Sequence, residues 1–305
     1  MMNKTLRQFA TRLCTMVFLA SGWCIWAGQH RIAVIVPMEH QAMDDIVQGI
    51  QDNLPAKDYK ISVHRAHGDL NILANVLNQI TYQKIDAVIA IGTTTSQMAL
   101  SGLPSDMIVI CAATSIMPDR ENVYTIDDSA DMSGLIKKLP HLNHLGVCYS
   151  AQDKSIAEVT ELKVALKETN IIVEERMAHT IQDLPTAVHS FSSKVQAILL
   201  FKDHLTVSGL PIFISECASR KIPLIASDES SVRKGATIAF GVQEQQIGVL
   251  SAQVLKNHFE GHEQPIVISL TPFAKLYLNK NTFKQQELWS MDEMLNMGWT
   301  IVEVD

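Results

Sequence analysis

Residues 31–63 read RIAVIVPMEHQAMDDIVQGIQDNLPAKDYKISV. An apolar run at 31–36 is followed by a stretch at 41–54 that sets Met43, Ile46, Val47, Ile50 and Leu54 on one helical face. A second extended run follows at 59–63. Strand, amphipathic helix and strand at this spacing open a parallel βαβ unit.

The pattern repeats outward from that unit. A helix is predicted over 69–82, a strand over 85–91 that is apolar except for Asp86, a helix from Thr93, and strands over 107–112 and 123–126. Strands this apolar are buried on both faces, as in a parallel sheet covered by helices. A second series then begins: helix 129–139, strand 145–149, helix 155–169, strand 171–174, strand 195–201, a helix ending at Arg220 that must accommodate Pro211, and strands 222–226 and 237–241. Helix 243–259, an extended 265–270 and a strand-like 300–304 complete the chain. The class is therefore α/β, with two doubly wound, Rossmann-like lobes of parallel sheet. No Pro-, Gly- or Ser-rich tether separates them, which suggests a multi-strand hinge and a cleft that opens and closes. The expected lobes are 28–125 with 243–270, and 126–242 with 271–305.

Composition suits two cores: 305 residues, 47% of them hydrophobic. Net charge is −7, and no run of Lys and Arg follows the first dozen residues, which argues against a nucleic-acid partner. Lys4, Arg7 and Arg12 precede an uncharged, mostly apolar 13–26. That pattern predicts a signal peptide over 1–27 and export to the periplasm, with Cys24 as a lipid anchor the alternative. Beyond this segment lie Cys111, Cys148 and Cys217, an odd number without metal-ligand spacing, expected as three buried free thiols and no metal site.

Ligands of open parallel sheets sit beyond the carboxyl ends of the strands. The residues there are Met38, Glu39 and His40; Gly92, Thr93, Thr94, Thr95 and Ser96; Ala113, Thr114 and Ser115; Tyr149, Ser150 and Asp153; Lys202, Asp203 and His204; and Asp228, Glu229 and Ser230. The helix opening at Thr93 offers free N–H groups to a carboxylate or phosphate, while Asp203 and Asp228 suit an ammonium; together they fit a zwitterion. Thr93 and Asp228 read equally as helix caps, and Glu39 with His40 as a solvated loop. Dinucleotide, P-loop, hydrolase-elbow and HExxH motifs are all absent, so neither an enzyme nor a cofactor is expected.

The run IPLIASDESSVRKGATIAFG, at 222–241, resembles the "IPVFASDxxSVxxGAxAAxG" segment of the ABC-transporter substrate-binding proteins of the tryptophan and aromatic amino-acid type. Met38-Glu39-His40 is similar to their "VEHPALD" loop, Cys111 to Thr114 to "AAVTDP", and Tyr149 to Ser155 to "YNPGExNS". The resemblance covers most of the chain after Gly28 and implies a type I periplasmic-binding fold. Implied with it are ligand contacts at Glu39, Thr93 to Ser96, Ala113, Thr114, Tyr149, Asp203 and Asp228, and as partners a small ligand, an ABC permease and its ATPase, with membrane contact through the permease. Lys202-Asp203-His204 stands where the family reads "TDN", Gln243-Glu244 where it reads "DY", and Gln41 replaces the proline after His40, so the ligand does not follow from the resemblance. The expected function is that of the periplasmic binding component of an ABC importer, taking an amino acid by hinge closure. A ligand-sensing module for a signalling partner is the alternative. Alanine at Asp203 or Asp228 is expected to weaken binding without unfolding the protein.

Overall fold

A computed structural model describes residues 29–304; the predicted signal peptide and Cys24 lie outside the described residues. Two sheets form the molecule. The first carries β1 (His30–Val36), β2 (Tyr59–Arg65), β3 (Ala87–Ile91), β4 (Ile108–Ala112), β5 (Val123–Asp127) and β11 (Val267–Ser269), in the order β11-β5-β4-β3-β1-β2, all parallel. The second holds β6 (His144–Ser150), β7 (Ile172–Ala178), β8 (Ala197–Leu200), β9 (Leu224–Ala226), β10 (Ile238–Gly241), β12 (Lys275–Asn279) and β13 (Ile301–Val304), ordered β13-β12-β10-β9-β8-β6-β7.

Each sheet is buried on both faces, which is why its central strands read as unbroken apolar runs: β3 is fully buried at all five positions. Helices supply the covering layers. Around the first sheet lie α1 (Gln41–Asn53), α2 (Leu70–Tyr82) and α3 (Thr93–Gly102). The chain then enters the second lobe through α4 (Met132–Lys138) and continues with α5 (Asp153–Leu166), α6 (Leu184–His189), α7 (His204–Ser208), α8 (Leu210–Arg220) and α9 (Glu229–Arg233). The long α10 (Glu244–Phe259) returns to the first lobe and packs on α1, while α11 (Lys280–Phe283) and α12 (Met291–Leu295) close the second.

Two local expectations are revised. The helix ending at Arg220 is two helices broken at Gly209, and Pro211 falls in the first turn of α8, where its missing N–H has no intrahelical role. The second sheet is not purely parallel: β12 runs antiparallel to β10 and carries β13 at the edge. Three crossovers join the lobes, after β5, after β10 and between β11 and β12. The carboxyl ends of β1, β3, β4, β6, β8 and β9 therefore converge on the space between them. Cys111, Cys148 and Cys217 are free and buried, and burial pushes the Cys111 thiol up to about 11 and that of Cys148 up to about 12.

Candidate functional site: the cleft between the lobes

On the first lobe, β3 ends at Gly92, whose φ of 86° lies where glycine is favoured; it serves as the N-cap of α3 with no side chain capping the helix. Thr93 is thus not a cap, and the positive end of α3 faces the cleft without a side-chain acceptor of its own. Its hydroxyl lies 3.0 Å from that of Thr114, which follows β4, while Ala113 between them is held left-handed at φ 57°. Thr95 and Ser96 are fully buried; Ser96 donates to the Ala90 carbonyl, but Thr95 Oγ1 has no partner. Thr94 stands beside them on the first turn of the same helix.

On the second lobe, the two aspartates expected to hold an ammonium are already engaged. Asp203 caps α7 by accepting from Thr206 N–H at 2.8 Å, and its other oxygen accepts from Ser150 N–H at 3.1 Å and Ser155 Oγ at 3.2 Å. A carboxylate offers about four acceptor directions, so three are taken. Asp228 caps α9, accepting from Ser231 N–H at 2.9 Å and Ser231 Oγ at 2.7 Å. The capping reading of Asp228 is realised; that of Thr93 is not.

The remaining predicted contacts sit at the margins. Glu39 is exposed and pairs with Arg65 at 3.4 Å and His67 at 3.1 Å on its own lobe. The Tyr149 hydroxyl donates to Glu175 on β7. His40 caps α1, and its Nε2 lies 3.4 Å from Lys234 Nζ of the opposite lobe. Burial, followed by the Lys234 charge, holds the His40 imidazole below its ordinary pKa.

A cavity of about 510 Å³ opens beside these residues. Its walls are their chain neighbours Ser115, Lys202 and Ser227, the crossover at 127–133, and the α5 face bearing Glu158. None of the residues expected to touch ligand lines it directly. Lys202 Nζ lies 3.4 Å from Glu244 and 3.9 Å from Asp128, one at the start of α10 and the other on the crossover after β5. Burial alone would lower its pKa, but Glu244, Asp128 and Asp228 together raise it, so the ammonium stays charged. Burial pushes Glu244 the other way for a carboxylate, above its usual range.

Sequence reading missed Glu158. It lies one turn beyond Ser155 on α5 and lines the cavity. Its Oε2 is buried without a partner, and burial lifts its pKa to about 7. Ser227 Oγ and Ser230 Oγ, after β9, are likewise buried and unpartnered. Buried polar atoms normally find partners, and of these Glu158 and Ser227 line the cavity.

Two α/β lobes joined by three crossovers around a polar cleft define a ligand-binding protein of the type I periplasmic-binding fold. Residues 31–301 match the family described as ABC transporter substrate binding protein. The chain belongs to that family, whose members and fold are those of binding proteins rather than enzymes. It is 39% identical, over 88% of its length and 89% of the relative's, to the uncharacterized protein RP367 of Rickettsia prowazekii (strain Madrid E). To the tyrosine-binding protein of Clostridioides difficile (strain R20291) it is 25% identical, over 85% of this chain and 81% of that one. Among solved structures, the ABC domain from Streptococcus pneumonia in complex with L-Trp superposes with a TM-score of 0.76 at 24% identity, covering 90% of this chain and all of that one.

Proposed function

We propose that this chain is the exported, periplasmic binding component of an ABC importer, with lobes at 28–125 plus 243–270 and 126–242 plus 271–305. It captures an amino acid between them and presents the closed form to a permease and its ATPase. The observation that carries the reading is the cavity at the crossover between the lobes, lined by Ser227 and Glu158, each with a buried unpartnered polar atom, in a member of the ABC substrate-binding family. The tyrosine-binding relative supports an aromatic amino acid as the ligand class.

The ligand carboxylate goes to the uncapped start of α3, at Thr93, Thr94, Thr95 and Ser96, with Ala113 and Thr114 beside it. His40 closes over it from the rim, and Asp203 and Asp228 shape the opposite wall. No bond is made or broken; contacts from both lobes lower the free energy of the closed form. Membrane contact in this reading runs through the permease; among the described residues no helix is long and apolar enough to cross a membrane.

Protein comprising residues 28–305 is the material for the test. L-Tyrosine or L-tryptophan should raise its melting temperature with concentration, equivalent to about 2.7 kcal/mol at a hundred times Kd. Absence of a shift with every amino acid would overturn the reading, and a response to another solute class alone would move the ligand assignment.

A further inference from the structure

We propose that Glu158 is the residue that receives the ligand's ammonium group, and that the ligands of this protein carry one. The inference rests on the reading of the cleft as an amino-acid site and names the contact that decides its chemistry.

The other carboxylates that line the cavity or stand beside it are engaged by the protein's own donors or are exposed. Asp203 has three donors and Asp228 two, all from the protein's own backbone and hydroxyls. Asp128 and Glu244 share Lys202. On the crossover, Asp127 accepts from Ser129, and Asp131 caps α4 through Gly134 N–H at 2.8 Å. Glu161 is exposed, where water competes for any cation it meets. Glu158 differs from all of these. It lines the cavity, its Oε2 is buried, and no donor reaches that oxygen. Its ion contact is Lys154 at 3.9 Å, a long pair one helical turn back with the lysine 43% exposed.

A close cation is the partner this carboxylate lacks. The groups that act on Glu158 are Lys154 and Glu161 from its own helix, Asp128 from the crossover, and Asp203 from the end of β8; three of the four are acidic. Burial first lifts the pKa of this partly buried carboxylate to about 7, with Lys154 opposing and Asp128, Asp203 and Glu161 adding to the rise. An ammonium meeting this carboxylate opposes both effects, displacing the proton and forming a charge-assisted hydrogen bond. A ligand of the same shape without the ammonium gains nothing there.

The experiment is calorimetric titration of protein comprising residues 28–305, as wild type, Glu158→Gln and Glu161→Gln, between pH 6 and 8. The probes are L-tyrosine and L-tryptophan, each beside its deaminated acid, 3-(4-hydroxyphenyl)propionate or 3-(indol-3-yl)propionate. We expect E158Q to bind the amino acids about ten- to a hundredfold more weakly than wild type, while E161Q and the deaminated probes show little difference. Wild-type affinity should fall as pH drops below about 7, because Glu158 must first release its proton, and E158Q should lose that slope. Melting curves of each variant confirm that it is folded. Equal amino-acid affinity in E158Q and wild type, or the same pH slope in both, overturns the role of Glu158 and leaves the amino-acid reading standing. Wild-type protein that binds only the deaminated acids overturns the ammonium requirement, and one that binds none of the probes overturns both.

Discussion

Asp203 accepts from the N–H of Thr206, the N–H of Ser150 and the hydroxyl of Ser155, so one buried side chain ties the start of α7, the end of β6 and the first turn of α5 together. Truncating it leaves three donors without their acceptor. Asp203→Ala should therefore destabilise the fold by about 1–3 kcal/mol, read as a lower midpoint in urea at unchanged m-value. That revises the expectation, drawn from position alone, that alanine here would affect binding and not folding. If the midpoint does not move, Asp203 is free to serve the ligand after all. Glu158 carries the opposite sign. Its pKa is raised from the ordinary carboxylate range to about 7, so the folded state holds its proton longer than the unfolded chain does. Its contribution to stability is full at acid pH and is lost as pH rises through about 7. Glu158→Gln should accordingly melt at a higher temperature than wild type at pH 8, by roughly 2 kcal/mol of stability, with the difference vanishing near pH 4; thermal scans at both pH values check it. The two carboxylates show which part of the site was legible. The strand-end rule found Asp203, Asp228 and the α3 threonines. Sequence does not say which lone pairs the backbone has already claimed, and Glu158 escaped because it lies in the second turn of a helix rather than at the end of a strand.

Among elements, α1 and α10 pack backbone against backbone, and glycine is the reason. A Cβ on Gly248 of α10 would sit 2.1 Å from the Ile46 carbonyl oxygen and 2.8 Å from the Ile50 nitrogen, and one on Gly49 of α1 would meet the Gln245 oxygen at 2.3 Å. Both obstacles are backbone, which cannot swing aside, so the helices must separate to admit even a methyl group. Gly248→Ala should cost about 1–3 kcal/mol, a fall of several degrees in melting temperature for a chain of this size. A melting temperature within a degree of wild type would mean that the two helices slide without loss. This contact also fixes the start of α10, where Glu244 meets Lys202, so the same variant should loosen the crossover. The parallel core of each lobe was readable because strands buried on both faces declare themselves as apolar runs, as β1, β3 and β4 do. The missed elements lack such runs. KLYLN of β12 alternates only over five residues, and its direction against β10 is set by where the last crossover delivers it. Pro211 looked like a mid-helix obstacle because the break at Gly209, where α7 gives way to α8, has no composition signal beyond a single glycine.

At the scale of the whole molecule, two contacts bridge the lobes at opposite sides of the cleft. Lys202 reaches Glu244 and Asp128 at the crossovers, and His40 meets Lys234 across the rim. The first is a charge pair near the hinge, in which Glu244, Asp128 and Asp228 keep the lysine charged while burial raises the Glu244 carboxyl above its usual range. In the second, His40 Nδ1 accepts from Ala42 N–H, so the neutral ring carries its proton on Nε2 beside the Lys234 ammonium; a second proton would take the cap's acceptor and set two positive charges side by side. His40 feels burial and the positive charges of Lys234 and Lys202, opposed by Asp228 and Asp44, and the balance lowers its pKa. The closed arrangement thus binds a proton less readily than a solvated histidine does, and linkage fixes the consequence: as pH falls through the ordinary histidine value of about 6.5, protonation favours separation of the lobes. Small-angle scattering of ligand-free protein should show the radius of gyration increasing between pH 7.5 and 5.5. His40→Asn keeps a helix cap and a neutral acceptor but cannot charge, so its radius should stay constant over that range. If H40N expands with acid as wild type does, the opening is driven by carboxylates elsewhere and the His40–Lys234 contact is incidental to closure. If only wild type expands, capture and release of ligand respond to acidity through His40 at the rim of the cleft rather than through the Lys202–Glu244 pair at the hinge.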